Sequence, residues 1–225
     1  MKLLLTSNGL SNDSIANALR DLVGKEPKDT RVAFIPTAAN PDRSNKKWLI
    51  NDLHRILERG YNVDIIELTA LTPLKIRDAL EESDVIFVGG GNTFYLSYWM
   101  QKSGLFNVLP ELLRTRVYAG ISAGSMIAGQ SLALSSQAMN NVQAFIDKDY
   151  DEVGPIGESS GETLQFTEFI FRPHLNSRHF SLARIELLEE KVKQVGYPVY
   201  ALDDNSALKI VDNDIKLSPK VNGSC

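Results

Sequence analysis

Apolar positions along the chain alternate between two spacings, and the alternation predicts an architecture. Compact, largely apolar runs occupy residues 3–5, 31–36, 61–68, 84–88 and 117–121. Each is short and rich in the aliphatic, β-branched or aromatic side chains that suit a strand. Between these runs the apolar residues fall three and four apart. Ile15, Ala18, Leu19 and Leu22 mark one face of a helix over 13–23, and Trp48, Leu49, Leu53, Ile56 and Leu57 mark a second that closes at Gly60. Further helices are predicted over 74–82, 94–102 and 106–114.

The run at 84–88 is almost wholly apolar, as a strand is when helices cover both faces of its sheet. Strands and helices in regular succession predict an α/β fold with a doubly wound, mostly parallel sheet and helices on both faces. At 225 residues the chain suffices for one such unit and is short for two, so a single domain over 1–225 is expected. Beyond Gly129 the pattern weakens through serines, asparagines and an acidic stretch around Asp147, Asp149 and Asp151, a segment expected to cover the site as a loop or short strands. A strand over 164–171, a helix over 181–195 and two closing sheet strands over 198–202 and 207–211 follow, and the polar tail after Leu217 is expected to fray.

The run at 117–121 leads directly into Gly120-Ile121-Ser122-Ala123-Gly124, with further small residues at helical spacing behind it. An ordinary strand-to-helix cap would also select Ser and Gly. A buried strand before the motif and a small-residue helix after it are, however, what a nucleophile elbow requires: Ser122 is lifted out of the sheet, and the two glycines remove Cβ atoms that would clash in so sharp a turn. The amides of the following helix end would favour developing negative charge there. One strand earlier, Gly89-Gly90-Gly91-Asn92-Thr93 frees the backbone to approach a ligand, and Asn92 or Thr93 can cap the next helix. Neither the P-loop nor the dinucleotide-binding fingerprint is present, so this glycine loop reads as an oxyanion hole and not as a phosphate cradle.

Composition removes other chemistries. A net charge of −4 argues against a general nucleic-acid or anionic-membrane surface. The first apolar run is too short for a signal-peptide core or a membrane span, so a cytoplasmic protein is expected. The single cysteine, Cys225, allows no intramolecular disulfide or thiolate metal site, and leaves Ser122 as the candidate nucleophile. The acidic stretch misses the calcium-loop spacing, and neither a metal nor an organic cofactor is expected.

A serine nucleophile needs a base, and the base an orienting acid. Of the three histidines, His54 falls mid-helix and reads as a surface residue; His174, beside Pro173 at a strand end, is the preferred base, with His179 in reserve. Asp203 or Asp204, at another strand end, could supply the acid, although Asp-Asp-Asn-Ser also reads as a self-bonded turn.

Taken together, Val88-Gly89-Gly90-Gly91-Asn92-Thr93-Phe94, Gly120-Ile121-Ser122-Ala123-Gly124-Ser125, Pro173-His174 and Leu202-Asp203-Asp204 resemble the peptidase E family of serine peptidases, the aspartyl dipeptidases, which also includes the cyanophycinases. The similarity runs in order over nearly the whole chain. It implies a class I glutamine amidotransferase-like fold with Ser in place of Cys. Carried onto this sequence, Ser122 is the nucleophile, His174 the base and Asp204 the acid, with Gly90 or Gly91 and the Ala123 amide forming the oxyanion hole. Asn92, Thr93 and Arg178 are the candidate substrate-binding residues, and a small peptide is the expected partner of a monomer or homodimer. Two departures stand out. The family's acid is often Glu, and the basic Gly-Glu-Thr-Arg-like segment of aspartyl dipeptidases is replaced by Asn176-Ser177-Arg178-His179-Phe180-Ser181, leaving Arg178 or Arg184 to bind a carboxylate. The rival readings are an α/β-hydrolase esterase, whose acid would be Asp147, Asp149 or Asp151, and a non-catalytic binding module.

Overall fold

In the computed structural model, which describes residues 1–135 and 161–218, the five early strands assemble as the alternation predicts. They are β1 (Lys2–Thr6), β2 (Arg31–Ile35), β3 (Asn62–Ile65), β4 (Val85–Val88) and β5 (Val117–Ile121). All pair in parallel, in the order β3-β2-β4-β5-β1. Two further strands, β8 (Ala207–Val211) and β9 (Asp214–Ser218), extend the β1 side as an antiparallel hairpin.

Side chains of alternating parity leave the sheet on opposite faces, and each face has its own core. Leu4, Val32, Phe34, Phe87 and Ala119 pack under α1 (Asp13–Val23) and α2 (Lys47–Glu58). Leu3, Leu5, Ile35, Ile86, Val88 and Tyr118 pack under α3 (Pro73–Glu81), α4 (Thr93–Lys102), α5 (Leu105–Leu112) and the short α6 (Ala123–Met126). Helices on both faces explain why β4 and β5 are buried along their whole length.

The second half of the chain departs from the pattern in three ways. The run at 164–171 yields only β6 (Ile170–Arg172). Upstream of it, the amides of Leu164 and Phe166 donate to the carbonyls of Ile127 and Ala128, so apolar burial there is won against a loop and not in a ladder. The strand expected over 198–202 is shorter, β7 (Val199–Ala201), and does not close the main sheet: it pairs with β6 in a separate two-stranded parallel sheet. The helix expected from 181 begins as a 3-10 turn, Ser181–Ala183, and becomes α7 only at Ile185–Val192. Of the tail expected to fray after Leu217, Ser218 is held in β9 opposite Ala207, and residues 219–225 lie outside the described residues. The acidic stretch with Asp147, Asp149 and Asp151 lies outside the described residues. Among the described residues, no helix is long and apolar enough to cross a membrane.

Candidate active site

The C-terminal ends of β1, β4 and β5 open onto one cavity of about 810 Å3, where parallel α/β sheets place their ligands. Ser122 stands at its base, immediately beyond β5. Its φ of 48° and ψ of −105° lie outside the ordinary allowed regions, a strain of about 1–3 kcal/mol that the surroundings must hold in place. They do so on both sides: the Ser122 amide donates to Thr6 O, and its carbonyl accepts from the amides of Ser125 and Met126 in α6. The flanking glycines are required by contact. A Cβ on Gly120 would lie 2.6 Å from Ser125 N, and one on Gly124 would lie 2.1 Å from Val88 O.

β6 and β7 run side by side in register, Arg172 opposite Ala201, so the residues following each strand emerge at the same end. From β6 comes His174, from β7 comes Asp204. His174 Nε2 lies 2.9 Å from Ser122 Oγ, and its Nδ1 lies 2.6 Å from Asp204 Oδ1. The imidazole is buried, and the Phe180 ring stacks on it at 3.9 Å and 6°. The hydrogen bond to His174 holds the Asp204 carboxyl below the usual carboxylate range, against partial desolvation and with smaller help from His174's charge, Ser177 and His179. Asp204 is thus anionic at neutral pH and accepts a hydrogen bond from Nδ1–H, which leaves Nε2 free to accept from the Ser122 hydroxyl. Asp203, in contrast, turns inward on its own loop and accepts from Asn205 N and Ser206 Oγ.

Gly90 and Gly91 line the cavity, Gly90 so closely that a Cβ on it would sit 3.4 Å from Ser122 Cβ. Gly91, at φ 137°, passes over Ala38, where a Cβ would stand 2.1 Å from the carbonyl oxygen. Among the described residues, the amides of Gly91 and Ala123 donate to no other backbone carbonyl. Asn92 lines the cavity, but its side-chain oxygen accepts from Phe94 N and Tyr95 N as the cap of α4. Thr93 is buried and, like Ala123, stands behind the wall. Arg178 is exposed outside the wall; its neighbours Ser177, His179 and Phe180 line it instead. Arg184 caps α7, also outside the lining, and His54 sits on the surface near Glu58.

Three contributors have no sequence motif. Ser7 Oγ donates to Leu202 O at 2.9 Å and accepts from the His174 amide at 3.2 Å, tying the end of β1 to both strands of the small sheet. Phe180 is the lid on the imidazole. Asp52, on α2, is 95% buried and lines the cavity. A Ser directly after a first parallel strand was a usable signal for Ser7; Phe180 and Asp52 gave none, being an apolar residue in a loop and a polar one in an amphipathic helix. Among the described residues no three His, Cys, Asp or Glu side chains are grouped as a metal site.

Comparison with known proteins identifies the family and the fold. The profile of peptidase family S51 matches residues 3–218. The chain is 30% identical to a Peptidase E of Streptomyces coelicolor over 224 residues, covering 93% of this chain and 81% of the relative. It is 29% identical to a probable alpha-aspartyl dipeptidase of Drosophila melanogaster over 220 residues, covering 92% and 82%. The crystal structure of a putative Peptidase E from Listeria monocytogenes superposes with a TM-score of 0.76 at 21% identity, covering 98% of both chains, and shares the fold.

Proposed function

Because this chain belongs to peptidase family S51, and is therefore a serine-type peptidase, we propose that it hydrolyses short peptides through Ser122, His174 and Asp204 by way of an acyl-enzyme. The observation that carries the reading is the unbroken chain of contacts, Ser122 Oγ to His174 Nε2 at 2.9 Å and His174 Nδ1 to Asp204 Oδ1 at 2.6 Å. His174 takes the hydroxyl proton as Ser122 attacks the scissile carbonyl, and Asp204 stabilises the imidazolium that forms. The oxyanion is received by the amides of Gly91 and Ala123, with Gly90 shaping the approach. His174 then returns the proton to the leaving amine, and water releases the acyl group from Ser122.

The cavity suits a short chain. Its walls are the 41–52 region, the glycine loop and the 177–180 loop. The Drosophila relative's name supports an α-aspartyl dipeptide as a specific substrate, and Lys47, which lines the cavity, is the cation that could meet its side chain. Asp203 serves its own turn, so Asp204 is the acid of this mechanism. The test is hydrolysis of Asp-Leu, Ala-Leu and β-Asp-Leu by wild type and by Ser122→Ala. We expect cleavage of at least one α-linked peptide, reduced about 10^3-fold or more in the variant with its thermal transition unchanged. Survival of every peptide, together with no labelling of Ser122 by a fluorophosphonate, would overturn the mechanism.

A further inference from the structure

The cavity lining holds a carboxyl that the mechanism leaves unused. Asp52 projects from α2 into the cavity with 5% of its surface exposed. Its nearest cation among the described residues is Arg55, whose guanidinium nitrogen stands 3.6 Å away, beyond hydrogen-bonding distance, and is already spent on Asn8 O at 2.9 Å and Asn8 Oδ1 at 3.2 Å. The approach to the sheet is kept open by Gly9. At φ 61°, a Cβ there would press to 3.0 Å from Ile121 Cδ1, and Asp52 Oδ1 lies 3.6 Å from the same point. Asp52 therefore sits across a single glycine from the residue that precedes Ser122.

Resting on the peptidase reading above, we propose that Asp52 is a specificity-determining residue, receiving a positively charged group on the acyl side of the scissile bond. That group is an ammonium or guanidinium, supplied either by the peptide's amino terminus or by a basic side chain.

Three observations converge on it. Among the described residues, the cavity wall holds Asp42, Asp52 and Asp204, the last engaged by His174, against the permanent cation Lys47, so its charged lining favours a cation. Among the described residues, the ion partner of Asp52 stays beyond hydrogen-bonding distance, a costly setting for a largely buried carboxyl, and a site serving only the fold would be better filled by an amide or an aliphatic residue. Burial pushes Asp52 up to about 7, with Arg55 opposing, so its surroundings compensate the carboxylate poorly and a cation beside it would favour the charged form. The same wall disfavours an aspartyl side chain near Asp52, which would bring two carboxylates together.

The experiment compares substrates within one variant, so that any loss of folding cancels. Lys-Ala, norleucyl-Ala and their N-acetylated forms are tested for hydrolysis by wild type and by Asp52→Asn. The same peptides are titrated calorimetrically into Ser122→Ala and into Ser122→Ala/Asp52→Asn. If the amino terminus is the cation, acetylation weakens binding at least tenfold in the presence of Asp52. If the side chain is, lysine exceeds norleucine by that factor. In either case Asp52→Asn brings the ratio close to one while the acetylated norleucyl peptide, which carries no cation, still binds. Ratios that stay unchanged on substitution, or a wild-type preference for the neutral partner in both pairs, overturn the proposal. Calorimetry reads the ratios even if no peptide is cleaved, and fluorophosphonate labelling of Ser122 separately reports whether the nucleophile is competent, so failure of the specificity and failure of the mechanism are distinguished.

Discussion

At the scale of single residues, the site combines one strained serine with two carboxyls driven in opposite directions by their surroundings. Asp204 is lowered by the hydrogen bond to His174, and Asp52 is raised to about 7 by burial. The consequences for stability have opposite signs. Asp204 stabilises the fold above the ordinary carboxylate range, and that contribution is lost as pH falls through its depressed folded value. For Asp52 the unfolded chain ionises near 3.8 and the folded one near 7, so stability declines as pH rises between those values and stays reduced above them. Asp52→Asn is accordingly expected to raise the melting temperature by several degrees at pH 8 and to leave it nearly unchanged at pH 4, as read by differential scanning calorimetry. A gain of equal size at both pH values would contradict the buried, proton-binding carboxyl.

At the scale of elements, the turn from β5 into α6 is fixed by backbone contacts that no side chain can enter. A Cβ on Gly124 would meet Val88 O at 2.1 Å, so β4, β5 and α6 would all have to separate to admit it. Gly24, at φ 75°, caps α1 with nothing within 4 Å of the added atom. Gly124→Ala is expected to cost more than 3 kcal/mol or to yield insoluble protein, whereas Gly24→Ala costs about 1 kcal/mol, the penalty of the left-handed conformation alone. Urea unfolding of the two variants measures the contrast. Similar losses would mean that the elbow has more room than these contacts allow.

At the scale of the whole molecule, the site is assembled across two sheets. Ser122 belongs to the large one; His174 and Asp204 follow strands of the small one. Buried Ser7 is the joint, bonded to Leu202 O and to the His174 amide, and Ser11 Oγ reinforces it through Asp204 O at 2.9 Å. Ser7→Ala is expected to destabilise the protein by about 1–3 kcal/mol and to lower kcat about tenfold or more, because it loosens the placement of the base. Steady-state kinetics beside thermal unfolding tests this, and a stability loss with full kcat would limit Ser7 to a structural part.

The order of strand and helix, the five parallel strands and the elbow with its two glycines were all determined by the sequence itself, because period and local sterics act within a few residues. Four short motifs also carried the family. Tertiary structure alone decided which of two adjacent aspartates meets His174, since Asp203 and Asp204 differ only in how β7 delivers them. It likewise decided that β7 pairs with β6 and not with the main sheet, and that Arg178 stays outside the cavity while Phe180 stacks on the imidazole. Asp52 is the clearest case. On one turn of an amphipathic helix it reads as a polar surface residue, and only packing of α2 over Gly9 buries its charge in the cavity wall.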